Sequence, residues 1–215
     1  MFVPGLGLDE RSCAATMQFL DPPCLAVRLP GYGMTARNVP DVSPPALGRK
    51  LIEELKSRGL PRATLVGHSA SCQVVAEAAK DAPGLVVGLV LIGPTTDPSA
   101  RSWPRLAERW IATARWEEPR MVPSLARQYT NTGLGSMRRC MQAARAHDIL
   151  KALAGFTSPL LVIRGPHDAI ANAAWVSRVA DSGGGDVHTL SAGGHMVVWT
   201  HGSLVAQAIR RRRQA

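Results

Sequence analysis

The sequence predicts an α/β chain: a mostly parallel, doubly wound sheet of about six strands carrying a helical cap insertion. Three observations predict it. Short runs rich in Val, Leu and Ile alternate with runs whose apolar residues recur at helical spacing. The alternation stops from about Thr95 to Gly155, where no strand-like run occurs, and it resumes at Pro159. The chain therefore divides into a core, residues 1–94 and 156–215, and a helical cap, residues 95–155. With 215 residues and 46% hydrophobic content, it is long enough to bury one sizeable core.

Met1-Phe2-Val3 reads as the first strand, and Pro4-Gly5-Leu6-Gly7 as a loop whose glycines permit close backbone approach. A helix over Glu10 to Leu20 leads to a second strand, Cys24 to Leu29, closed by Pro30-Gly31-Tyr32-Gly33. Ser43 is placed to cap a helix from Pro44 to Arg58, with Leu47, Leu51, Ile52 and Leu55 on one face. Arg62 to Val66 and Leu85 to Ile92 are near-continuous apolar runs of the kind that parallel strands show when both faces are covered. In the cap, helices are expected over Trp103 to Trp116, Met121 to Tyr129 and Ser136 to Lys151. A strand over Pro159 to Arg164, a helix over Asn172 to Asp181, a strand over Asp186 to Leu190 and a helix over Ser203 to Arg213 complete the chain.

Between the strand Arg62–Val66 and the helix that starts near Ser71 stands Gly67-His68-Ser69-Ala70-Ser71. A serine on such a strand-to-helix corner projects its hydroxyl from the sheet next to a positive helix end, as a nucleophile requires. Serine alone is a weak nucleophile until an imidazole takes its proton and a carboxylate orients that imidazole. Asp168 follows the strand ending at Arg164, and His195 follows the last strand in Ala192-Gly193-Gly194-His195. The carboxyl ends of parallel strands face one crevice, so the three can converge there. Asp97, after the strand ending at Ile92, is the rival acid, and His167 and His201 are the rival histidines. Taken singly, Asp168 also fits a helix N-cap and His195 a surface-loop histidine.

The order Ser69, Asp168, His195, each after a strand, resembles the α/β-hydrolase superfamily over essentially the whole chain. The elbow departs from G-x-S-x-G only in its last residue, Ser71, which is still small, and Val3-Pro4-Gly5-Leu6 lacks the His-Gly pair common in that loop. The resemblance implies that the amides of Leu6 and Ala70 form the oxyanion hole and that His68 lines the pocket or is structural. It also implies a six-stranded sheet of order 2-1-3-4-5-6, without the two strands that usually precede the first one here. The Cys24–Leu29 strand is then an exposed edge, which fits a monomer or a homodimer.

Composition narrows the remaining classes. The charge of +9 comes mainly from Arg, with one dense run at Arg210 to Arg213, and fits solvated helix ends better than a nucleic-acid surface. The longest apolar stretch, Gly84 to Pro94, is too short to span a bilayer, and no secretory signal is visible. Four cysteines without CxxC or His/Cys spacing indicate reduced thiols and a cytoplasmic protein, with Cys72 a packing residue. No P-loop, GxGxxG or metal cluster occurs, so no cofactor and no metal are implied.

The expectation is a serine hydrolase acting through an acyl-enzyme on Ser69, with a small-molecule ester, lactone or thioester as substrate and neither nucleic acid nor membrane as partner. C–C bond hydrolysis, a cofactor-free lyase reaction, or a catalytically weak ligand-binding protein of the same fold remain open. Trp103, Trp110, Trp116 and Met196, with Met121, Met137 and Met141, are the candidates for an apolar pocket or, equally, for packing the cap onto the sheet.

Overall fold

The structure, a computed structural model, describes residues 1–214, with side chains through Arg212, so the last side chain of the Arg210–Arg213 run lies outside what is described. Its elements run β1 (Phe2–Val3), α1 (Arg11–Met17), β2 (Leu29–Pro30), β3 (Gly33–Met34), α2 (Pro44–Ser57), β4 (Ala63–His68), α3 (Ser71–Asp81) and β5 (Val86–Ile92). The cap helices α4 (Trp103–Ala114), α5 (Val122–Thr132), α6 (Leu134–Ala146) and α7 (Ile149–Leu153) follow. The core then resumes with β6 (Leu160–Arg164), α8 (Ala173–Ser182), β7 (Asp186–Thr189), α9 (Val197–Thr200) and α10 (Gly202–Gln214).

Five strands pair in parallel in the order β1-β4-β5-β6-β7. Because side chains alternate across a strand, neighbouring residues go to opposite faces. Leu65, Leu89, Leu91, Leu160 and Val162 pack with α2, α3 and α8 through Leu51, Val74 and Trp175. Val66, Val90, Ile92, Leu161 and Ile163 pack with α1, α9 and α10 through Cys13, Val197 and Val205. This two-sided burial is why the strands read as continuous apolar runs.

The expected strand over Cys24 to Leu29 is reduced to one bridge, Phe2 with Ala26. The Phe2 N–H donates to the Leu25 carbonyl at 2.7 Å, and the Val27 N–H to the Phe2 carbonyl at 2.9 Å. The segment lies where a sixth strand belongs, but β1 spans two residues and offers no longer ladder. Leu29–Pro30 and Gly33–Met34 instead pair with each other.

The Ser136–Lys151 helix divides at His147, whose backbone is extended, and Asp148 caps α7 by accepting from the Leu150 N–H at 3.2 Å. Ile149, Ala152 and Leu153 of α7 are buried in the main core. Ser43 caps α2 by accepting from Ala46 N–H at 3.4 Å. Among the described residues, no helix is long and apolar enough to cross a membrane.

Candidate active site

Ser69 sits between β4 and α3 with φ +59°, in the left-handed region that a non-glycine residue adopts only when its surroundings hold it there. Its N–H donates to the Ile92 carbonyl at 2.8 Å, tying the corner to β5. Gly67 is needed beside it, because a Cβ there would stand 2.9 Å from the Cys72 N and Cα atoms. Ser71, in the elbow's last position, is more than a small residue. Its Oγ accepts from the His68 N–H at 2.8 Å and lies 2.8 Å from the Val3 carbonyl, within donating distance. One hydroxyl thus joins the elbow to the strand that feeds the Pro4–Gly7 loop.

The three residues far apart in sequence meet at this corner. Ser69 Oγ lies 2.9 Å from His195 Nε2, and His195 Nδ1 lies 2.8 Å from Asp168 Oδ2. All three are buried, Ser69 with 8% exposure and the others with 1%. With Nδ1–H donating to Asp168, Nε2 is free to accept the serine proton. The other Asp168 oxygen, Oδ1, accepts from the Ile170 and Ala171 N–H groups at 2.9 Å each. Arg164 ties the same loop by donating to the carbonyls of Ala171 at 2.8 Å and Asp168 at 3.0 Å.

Burial opposes the charge on both partners, but their mutual attraction wins. Asp168 is held below the usual carboxylate range by the His195 charge and hydrogen bond, with help from the Ala171 N–H and Arg164. His195 is raised above ordinary imidazole by Asp168 and, further off, by Glu117.

Gly93 at the end of β5 lies against this pair. A Cβ there would come within 3.1 Å of Asp168 Oδ2 and of His195 ring atoms, and its φ is +57°.

The rivals are placed elsewhere. Asp97 accepts from Arg109 at 2.8 Å, Asn172 at 3.1 Å and Ser99, anchoring the cap to the core rather than meeting His195. His167 stacks on Trp116 with ring centroids 3.6 Å apart, and His201 Nδ1 pairs with Thr200 Oγ1 at 2.8 Å. Cys72 is fully buried, its thiol pushed far up by burial, and it packs on the carbonyls of Gly67 and Ile92.

A cavity of about 280 Å³ opens at Ser69. The core lines it with Leu6 and Ile170, and the cap with Leu106, Trp110, Tyr129, Met137 and Met141, with Thr95 at the junction of the two. A more open cavity of about 460 Å³ shares Leu6, Met137 and Met141 and reaches Trp103 and Arg138. Trp110 therefore lines the inner room and Trp103 the outer one, whereas His68 and Met196 lie outside both.

His68 is buried behind the loop, with Nε2 donating to the His195 carbonyl at 3.1 Å and burial pushing its pKa down to about 3. Gly5 packs on its ring, where a Cβ would stand 2.7 Å from Nδ1. Met196 packs with Leu8 and Met121. Among the described residues, the amides of Leu6 and Ala70 donate to no protein acceptor. No group of His, Cys, Asp or Glu among those residues is arranged to hold a metal.

Sequence reading missed Gly93, Arg164 and Glu117. Glu117 Oε1 accepts from the His195 N–H at 2.5 Å and the Met196 N–H at 3.0 Å. A carboxylate in the middle of an Arg-rich cap carries no local signal of such a role.

Residues 1–208 match the model of a family described as "Alpha/beta hydrolase family". A relative from Variovorax paradoxus (strain S110), named "Putative carbamate hydrolase RutD", is 28% identical over 173 residues. That match takes in 69% of this chain and 65% of the relative, so the chain spans somewhat under two thirds of its length.

Among solved structures, a hydrolase from Oleispira antarctica superposes with a TM-score of 0.83 at 14% identity, over 99% of this chain and 89% of that one. An enol-lactonase from Burkholderia xenovorans LB400 superposes with a TM-score of 0.75 at 17% identity, over 100% and 90%. At these identities the superpositions establish the fold.

Proposed function

From the premise that the chain belongs to the α/β hydrolase family, we propose that it is a serine hydrolase cleaving a small, largely apolar carboxylic ester, lactone or thioester. The observation that carries this is the unbroken relay Ser69–His195–Asp168, at 2.9 and 2.8 Å, opening into an apolar cavity.

His195 Nε2 takes the Ser69 proton as Oγ attacks the carbonyl, and the Asp168 carboxylate stabilises the imidazolium that results. The Leu6 and Ala70 amides, with no other acceptor among the described residues, receive the developing oxyanion, and Ala70 adds the positive end of α3. His195 returns the proton to the leaving alcohol or thiol. It then activates a water that releases the acid from Ser69.

The cavity walls carry hydroxyls but no charged side chain, which favours an uncharged acyl or alkyl part; Arg138 stands only in the outer cavity. The name of the Variovorax relative, "Putative carbamate hydrolase RutD", and the likeness to an enol-lactonase structure both agree with attack at a carbonyl bearing a heteroatom. Four free cysteines suit the reducing cytoplasm.

The test is a fluorophosphonate adduct on Ser69 together with turnover of short p-nitrophenyl esters. Ser69→Ala is expected to lose the adduct and at least about 10⁴-fold of kcat. Because His195 must be neutral to act, kcat/KM should fall on acidification with a midpoint above the 6.5 of free imidazole. A folded wild-type protein that forms no adduct and turns over no ester would instead be a ligand-binding member of the fold.

A further inference from the structure

One stretch of the cap, from Trp110 to Glu117, touches both loops that bring the acid and the base to Ser69. The Trp110 ring stands edge-on to His195 with centroids 5.8 Å apart, and Thr113 Oγ1 accepts from the Ala169 N–H at 3.1 Å. Trp116 stacks on His167, and Glu117 closes the stretch on the His195 and Met196 amides.

Glu117 stands out chemically. One oxygen takes both amides, while the other, Oε2, is buried with no hydrogen-bond partner. A buried carboxylate oxygen without a partner is costly. A neutral oxygen could accept from the same two amides, though less strongly, so these hydrogen bonds alone do not account for a half-unpartnered carboxylate here.

Gly194 points to the same place. A Cβ there would stand 2.5 Å from Glu117 Oε1, so the absence of a side chain immediately before His195 leaves the space the carboxylate occupies.

We propose that Glu117 is a positioning residue for His195: it fixes the backbone of the base from the cap side, and its charge stabilises the imidazolium that forms when Ser69 attacks. The role rests on the serine-hydrolase reading above. Asp168 holds the ring of His195 through Nδ1 and Glu117 holds its main chain, so the base lies between two carboxylates contributed by different parts of the fold.

The other groups facing it are consistent with this. His68, against the His195 ring at 5.2 Å, is kept neutral by burial, so Asp168 and Glu117 are the charges His195 feels. Burial raises the Glu117 carboxyl above its ordinary value, against the pull of the two amides and of His195, while Asp168 adds to the rise. On acidification Glu117 thus begins to lose its charge at a higher pH than a solvated carboxylate.

The experiment is an NMR titration of the His195 ring in wild type, Glu117→Gln, Glu117→Ala and, as a control on the exposed neighbour, Glu118→Gln. It is paired with ester kinetics across pH. Gln keeps an oxygen for both amides and removes the charge, so the His195 midpoint is expected to drop by about half a unit or more. The acid limb of kcat/KM should move down with it, while kcat at high pH stays within a few-fold of wild type. Ala removes the acceptor as well and is expected to lower kcat about 10-fold or more with a smaller change in KM.

Glu118→Gln should match wild type in both readouts. A His195 midpoint unchanged in Glu117→Gln overturns the proposal, as does a wild-type kcat in Glu117→Ala. The titration does not depend on turnover, so it still decides the role of Glu117 if the wild-type protein hydrolyses no ester and the functional reading fails.

Discussion

The sheet and the first cap helices are held by different physics, and the candidate active site lies on the seam between them. In the core, every residue of α3 from Ser71 to Ala79 is buried and β6 is buried throughout. In the cap, α4 buries Leu106 and Thr113, and α5 buries Gln128 and Thr132.

The polar ones among these are anchors. Thr113 accepts from the Ala169 N–H at 3.1 Å and Gln128 from the Asp9 N–H at 2.8 Å; Thr132 donates to the Gly7 carbonyl at 3.1 Å. Ser136 of α6 accepts from the Ala36 N–H at 2.8 Å. The core, together with α7 and the buried side of α6, is held by area, which is tolerant of direction; α4 and α5 rely more on hydrogen bonds, which are not. The directional bonds reach the loops around Ser69, the Pro4–Gly7 loop from α5 and the loops carrying Asp168 and His195 from the end of α4. Seating the cap and shaping the site are therefore coupled.

Substitutions at graded distances from the seam test this contrast. Asp168→Asn, where the two systems meet, should cost about 10⁴-fold in kcat, about 5.5 kcal/mol of barrier, because it favours the wrong tautomer of His195. Ester kinetics on folded protein check this.

Leu91→Ala, deep in the sheet, should cost roughly 2–5 kcal/mol of unfolding free energy in urea while the folded fraction keeps its kcat. Gln128→Ala leaves the buried Asp9 N–H without an acceptor, a local cost of about 1–3 kcal/mol. That cost should raise KM more than it moves the global unfolding midpoint. If Gln128→Ala lowers the global midpoint as much as Leu91→Ala does, the cap and core are one cooperative unit and the distinction fails.

The amino-acid sequence by itself determined the alternation of strands and helices, the corner at Ser69 and the placing of Asp168 and His195 after strands. These follow from local apolar runs and from the rule that parallel strands open on one crevice. The sheet edge was less legible, because how far Cys24–Leu29 pairs depends on the length of β1 and not on its own residues.

Only the tertiary structure decided which carboxylate reaches His195. Asp168 and Asp97 each follow a strand, and the difference lies in Arg109 and Asn172 claiming Asp97. Likewise Ser71 looked like a minor departure from a glycine until Val3, 68 positions away, was placed beside its hydroxyl. Glu117 lay in a stretch whose composition indicates only a solvated cap helix, and its partner His195 is 78 positions distant. Patterns along a chain report which face of an element is apolar. Hydrogen bonds between remote loops depend on distances of a few tenths of an ångström, which are set when the two layers close on each other.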